Sequence, residues 1–203
     1  MREFTTQPMK RSSGFTLIEL LVVISIIGIL ASLAVPAVLG GISKAQMTGA
    51  LSNMKQVHLV CQQMSLDGTT TGDTNLAWPG SCGSPGSYAT WASNAVPSYV
   101  SLNDFSKIMS CAGAVTTNAT NANTNGVIVL NVPDSADGSV ALLSTRNVTN
   151  ASGAWALTTN GAGVLFGSKG FVVFRKGGDG GVYLPKQTNS TNLTGVATNA
   201  LAQ

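Results

Sequence analysis

Glu19 is the residue whose type and position most demand chemistry. It is the only acid between Glu3 and Asp67, and it stands at the entrance to a long apolar run. A carboxylate inside a bilayer costs roughly 2.5–3.5 kcal/mol even on lenient scales, so such a group asks for a partner charge. The plainer reading is an interfacial Glu reaching into lipid headgroups. His58, the only histidine, has no metal-ligand spacing to any other residue and reads as structural. Cys61, Cys82 and Cys111 allow three pairings. Cys82–Cys111 would staple the long loop ahead of the strands, whereas Cys61 lies on an apolar helical stripe. Gly177-Gly178-Asp179-Gly180-Gly181 is no phosphate loop, because no helix with Lys-Ser/Thr follows it. Calcium takes several oxygens, and a single acid there reads better as a tight hairpin turn. Five N-x-[ST] sequons start at Asn118, Asn147, Asn150, Asn189 and Asn192, as chance allows in a chain this rich in Asn, Ser and Thr. With one His and sparse acids, no triad, Cys/His set or carboxylate pair forms. The chain therefore reads as no enzyme, with no cofactor and no metal.

The elements around Glu19 give it its setting. Leu20 to Leu39 is twenty residues without a charge, broken only by Ser25, Gly28, Ser32 and Pro36. As a helix it spans roughly 30 Å, one hydrocarbon core. Arg2, Lys10 and Arg11 precede it, so its N-terminal end should face the cytoplasm and the rest of the chain the periplasm. A secretory signal peptide fits less well: the apolar run is long, no A-x-A-like site closes it, and a helical pattern follows. The net charge is +3, of which residues 1–14 carry three positives and one negative, leaving +1 for the remainder. The body has no clustered basic face, so no nucleic-acid contact is expected. Charged residues make up only 9%, and the mean hydropathy is +0.25.

Gly14-Phe15-Thr16-Leu17-Ile18-Glu19-Leu20, preceded by Lys10-Arg11-Ser12-Ser13, resembles the cleavage and N-methylation site of type IV prepilins and type II secretion pseudopilins. The likeness covers about residues 10–41. It implies that a prepilin peptidase cuts between Gly14 and Phe15 and methylates the new amine of Phe15. Gly14 suits such a site, since a residue without a side chain lets the backbone enter a narrow cleft. Cleavage creates the cation that Glu19 lacks. In this family the Glu of one subunit is thought to meet that amine on a neighbour, fixing the stagger between otherwise slippery helices. The stretch between a Gly and a Pro placed like Gly28 and Pro36 can lose helix in such filaments. For the isolated subunit a simple Pro kink in a continuous helix is the expectation. Some secretion pseudopilins hold calcium in a late loop, but Asp179 alone is a poor match.

Beyond Gly40-Gly41 the pattern changes. Ala50, Met54, Val57, Cys61 and Met64 share one helical face, widened by Met47 and Leu51, which predicts an amphipathic helix over 42–66 stopped at Asp67-Gly68. Its Met stripe reads as core rather than as a ligand groove. Residues 67–125 read as a long irregular region with short helical turns near Trp91–Asn94 and Ser101–Met109. Strand signals follow at 127–132, 140–145, 154–158, 164–166, 171–174 and 182–184, with Asp137-Gly138 and Lys169-Gly170 as hairpin turns. The expected fold is α+β, a pilin-like long helix packed on an antiparallel sheet. The segments are a basic leader (1–14), a transmembrane and filament-core helix (15–41), the amphipathic half (42–66), the loop region (67–125), the sheet (126–186) and a polar tail (187–203).

The resemblance implies a structural subunit of a type IV pilus or a secretion pseudopilus. Its partners would be prepilin peptidase, copies of itself and other pilins or pseudopilins, and an inner-membrane assembly platform. Before assembly it would be a single-pass inner-membrane protein with a periplasmic domain. The competing reading is a membrane-anchored binding or enzymatic domain that uses a prepilin-type leader. An anchor alone needs neither Phe15 nor Glu19.

Overall fold

A computed structural model describes residues 14–82, 87–111, 126–151, 154–157, 166 and 169–187. The chain divides into two compact units, residues 1–41 and 42–203.

In the first unit the described backbone is helical from Leu17 onward. This is the start of α1, Leu17–Thr71, and it continues through Gly28 and Pro36. Every described residue here is exposed, including Leu21, Ile24, Ile27, Leu30 and Leu33. A helix apolar on all sides and buried against nothing has the surface of a membrane span. Among the described residues α1 is the one helix long and apolar enough to cross a membrane. Ser25 and Ser32 turn their hydroxyls back onto the Leu21 and Ile29 carbonyls (2.8 and 2.7 Å). Each polar side chain thus finds its partner inside the helix, as a medium without water requires.

In the second unit, α1 lays one face on a sheet. Met47, Ala50, Met54, Val57, Cys61, Met64 and Gly68 recur at alternating intervals of three and four, and all are buried. The sheet has four antiparallel strands in the order β1 (Val127–Val129), β2 (Ala141–Thr145), β5 (Phe171–Arg175), β6 (Gly180–Tyr183). All five residues of β2 and four of β5 are buried, as expected for the two inner strands. The β2–β5 register shifts between Ala141 and Leu143, a bulge at Leu142. A separate hairpin pairs β3 (Val148–Ala151) with β4 (Ala154–Leu157). Two short helices, α2 (Tyr88–Ala95) and α3 (Leu102–Met109), lie where short helical turns were expected. Ser101 caps α3: its Oγ accepts the Asp104 N–H (3.1 Å) and donates to the Asp104 carboxylate (2.7 Å). Trp91 and Phe105 bring the two helices together, with ring centroids 5.9 Å apart. The α+β architecture, helix on antiparallel sheet, is the one expected.

Three local expectations differ. The helix does not stop at Asp67-Gly68 but runs to Thr71. Gly68 lies inside it because Leu76 packs there: an added Cβ would stand 1.8 Å from the Leu76 carbonyl oxygen. The stop is Gly72, whose φ of +76° ends the helix without the cost a side chain would add. Lys169-Gly170 is no hairpin turn into β5, because β5 already has β2 on one edge and β6 on the other. Phe166 is not in a strand and has φ +59°, whereas residues 164 and 165 lie outside the described set. The Gly177–Gly181 stretch is the β5–β6 hairpin turn, closed by Arg175 N–H to Asp179 O (2.7 Å) and by an Arg175–Asp179 ion pair.

Candidate functional site

The first turn of α1 holds the residues with the greatest chemical interest. Phe15 and Thr16 precede the helix, and Thr16 is its cap. The Thr16 backbone N–H donates to Glu19 Oε2 (2.9 Å), and the Thr16 hydroxyl donates to the same oxygen (2.6 Å). In return the Glu19 N–H reaches Thr16 Oγ1 (3.3 Å). This is a reciprocal capping box, which satisfies backbone donors that a helix start leaves without partners. At the edge of a membrane that service matters more, because water is scarce. Reading Glu19 only as a charge missed Thr16. The signal was present in the sequence as Thr-x-x-Glu directly before an apolar run.

Phe15, Ile18, Val22 and Val23 line a shallow apolar groove with Glu19. The carboxylate has one oxygen committed to Thr16. Among the described residues Oε1 takes no hydrogen bond, so it is available to a cation from outside. The helix dipole adds to this arrangement, since a carboxylate in the first turn faces the positive end. Gly14 is described and exposed, with nothing within 4 Å of where a Cβ would stand. The leader before it lies outside the described residues.

The other residues marked in the sequence are dispersed. His58 is buried and points its Nε2 at the Lys176 carbonyl (2.7 Å), which makes Nε2 the protonated nitrogen. It packs between Trp78 and Phe174, at centroid distances of 5.7 and 5.2 Å. It is a core residue. Lys176 straddles the same region: its Nζ donates to the carbonyls of Pro133 (3.2 Å), Asp134 (2.6 Å) and Ala136 (2.9 Å), and sits 5.0 Å over the Trp78 ring. No group of three or more potential metal ligands occurs among the described residues.

Cys61, Cys82 and Cys111 are all buried thiols, and the Cys82–Cys111 bridge is not formed in this structure. Burial pushes the Cys111 thiol up to about 11. The sequon at Asn147 is unavailable to a glycosyl group in the folded chain. Asn147 is fully buried and donates its amide to the Gly170 carbonyl (2.7 Å). The sequons at Asn118, Asn189 and Asn192 lie outside the described residues.

Comparison with known proteins bears on the α1 segment. Residues 9–35 match the family described as the prokaryotic N-terminal methylation motif. The chain is similar to the type IV major fimbrial protein FimA of Dichelobacter nodosus, with 40% identity over 68 residues, which is 34% of this chain and 44% of that protein. It is similar to the type II secretion system core protein G of Aeromonas hydrophila, with 45% identity over 58 residues, 29% of this chain and 41% of that protein. A fimbrial protein of Pseudomonas aeruginosa is 40% identical over 60 residues, 30% and 39% of the two chains. The chain thus spans less than half the length of each of these relatives. No solved structure matches it significantly.

Proposed function

We propose that this chain, whose N-terminal segment belongs to the type IV pilin and pseudopilin family, is a structural subunit of a pilus-like or secretion-pseudopilus filament. The observation that carries the reading is the placement of Glu19. It caps a helix whose Leu20–Leu39 stretch is uncharged and exposed, and it does so four residues after Phe15.

The steps follow from the chemistry of that placement. Lys10 and Arg11 hold the leader on the cytoplasmic side while Leu20–Leu39 spans the membrane, with the second unit in the periplasm. Prepilin peptidase cuts between Gly14 and Phe15 and methylates the Phe15 nitrogen. The new ammonium is a cation at the membrane edge, where Glu19 of a neighbouring copy offers Oε1. A pair at about 4 Å is worth about 1 kcal/mol in water and about 4 kcal/mol at an effective dielectric near 20. The aliphatic helix surfaces supply most of the packing, and the ion pair selects one axial stagger among many. An assembly platform in the inner membrane extracts the helix, which then becomes filament core. Gly28 and Pro36 give that stretch a weak point at which helix can be lost as the subunits pack.

Glu19→Ala is the test. Processing to a chain beginning at Phe15 should continue, and filament incorporation should be lost. Normal numbers of filaments from this variant would overturn the assigned role of Glu19.

A further inference from the structure

We infer that Cys61 and Cys82 are the pair that forms a disulfide when this chain folds under oxidising conditions, leaving Cys111 as a buried thiol. Sequence spacing left three pairings open and suggested Cys82–Cys111. The packing around α1 points to a different one.

The segment after α1 runs back along the helix. Leu76 packs at Gly68, where an added Cβ would stand 1.8 Å from its carbonyl oxygen. Two residues on, the Trp78 ring lies 5.7 Å from that of His58. Gly68 and His58 bracket Cys61 on the same buried face of α1. The chain then turns on itself at Trp78, whose carbonyl accepts both the Ser81 N–H (2.8 Å) and the Cys82 N–H (3.2 Å). That turn folds Cys82 back, so that its Sγ lies 3.0 Å from the Ala77 carbonyl and 3.3 Å from that of Asn75. Both thiols are fully buried in one core cluster. Burial raises the Cys61 thiol most and Cys82 raises it further, in keeping with two thiols near each other in that core.

Cys111 shares that core cluster but lies against an earlier part of α1. Its neighbour Ser110 receives the side-chain amide of Asn53 (3.4 Å). Asn53 is eight residues before Cys61, about 12 Å along the helix. A disulfide needs Cα atoms about 4.4–6.8 Å apart, so an offset of two helical turns keeps Cys111 from pairing with Cys61.

The chemistry is ordinary thiol–disulfide exchange. One cysteine thiolate attacks a disulfide-bearing oxidant and displaces one of its sulfurs as a thiolate. The second cysteine thiolate attacks the mixed disulfide, forms the Cys61–Cys82 bond and releases the reduced oxidant. Two protons and two electrons leave the chain, and the two sulfurs of the oxidant's disulfide become two thiols. Burial raises both thiols and shields them in the finished fold, so the exchange belongs to folding, before the core closes.

Trypsin separates the alternatives. Its sites at Lys55, Lys107 and Arg146 place Cys61 and Cys82 on one peptide, 56–107, and Cys111 on the next, 108–146. The full chain, refolded in detergent with oxidised glutathione, is alkylated in denaturant and digested without reduction. The expected result is peptide 56–107 lighter by two hydrogens and unalkylated, with alkylated Cys111 on 108–146. Cys111→Ala should leave that result unchanged, and Cys82→Ser should abolish it. Peptides 56–107 and 108–146 joined by a bond, or three alkylated cysteines, would overturn the pairing. The purified chain is used, so the outcome does not depend on membrane orientation or on filament assembly.

Discussion

Replacing glycine by alanine at two places on α1 should shift stability in opposite directions. In an unobstructed helix interior, Gly→Ala gains up to about 1 kcal/mol, because alanine restricts the unfolded backbone and favours helix. Gly49 is such a place: it is exposed, and nothing lies within 4 Å of the added Cβ. Gly68 is the opposite case. Its Cβ would stand 1.8 Å from the Leu76 carbonyl oxygen and 2.9 Å from its carbon, both backbone atoms that cannot swing aside. Relief requires the 73–77 segment to move off the helix, and overpacking of this kind costs about 1–3 kcal/mol. The propensity gain offsets part of that, so Gly68→Ala should destabilise by about 2 kcal/mol at the upper end, or roughly 4–8 °C in midpoint for a unit of this size. Thermal unfolding of the full chain in detergent, followed by near-ultraviolet dichroism of the buried Trp78 and Trp91, measures both variants. A Gly68→Ala protein as stable as the parent would refute the packing argument. So would a destabilised Gly49→Ala.

Three further outcomes follow from the same geometry. Lys176→Met keeps the side-chain stem but removes the ammonium that binds three carbonyls, and should lower stability by about 1.5–3 kcal/mol in urea unfolding. Thr16→Val should remove the helix cap, at about 0.5–2 kcal/mol locally, and speed amide exchange at Leu17–Leu20 in detergent micelles, whereas Thr16→Ser should not. The Cys111 thiol, kept reduced, is raised to about 11 by burial, against about 8.5 unfolded. Its neutral form is the one the fold favours, so its contribution is complete below about pH 8.5 and is lost as pH rises toward 11. Removing it with Cys111→Ala should flatten the alkaline limb of a stability–pH curve, and iodoacetamide at pH 8 should label Cys111 only on unfolding.

The parts legible in the sequence were those whose signals are contiguous. Charge, hydropathy and the Gly14–Glu19 pattern are all read along one stretch of chain, and so is the stripe from Met47 to Met64. Thr16 was equally legible as the first member of Thr-x-x-Glu. The charge of Glu19 drew the reading toward a partner on another chain and away from the bond to its own neighbour. Signals that depend on tertiary packing were not legible. Asp67-Gly68 has the composition of a helix stop, yet Gly68 is required by the approach of Leu76 and the helix continues. Strand β3, Val-Thr-Asn-Ala, has no alternation to reveal it, and its partner β4 is all that marks it. Lys169-Gly170 has turn chemistry, but the strand it leads into, β5, is already paired on both edges. For the cysteines, spacing along the chain suggested the loop staple Cys82–Cys111, whereas the proposed Cys61–Cys82 pairing rests on how residues 76–82 pack along α1.

On the proposed function, residues 1–14 are removed and Phe15 becomes the charged start of a filament core. The most direct measurement is the N-terminal peptide mass of the chain recovered from filaments or from the cell envelope. The expected peptide begins at Phe15 and carries one methyl group on its α-nitrogen. A chain that still begins at Met1, or one cut after the apolar run at Leu20–Leu39, would contradict it.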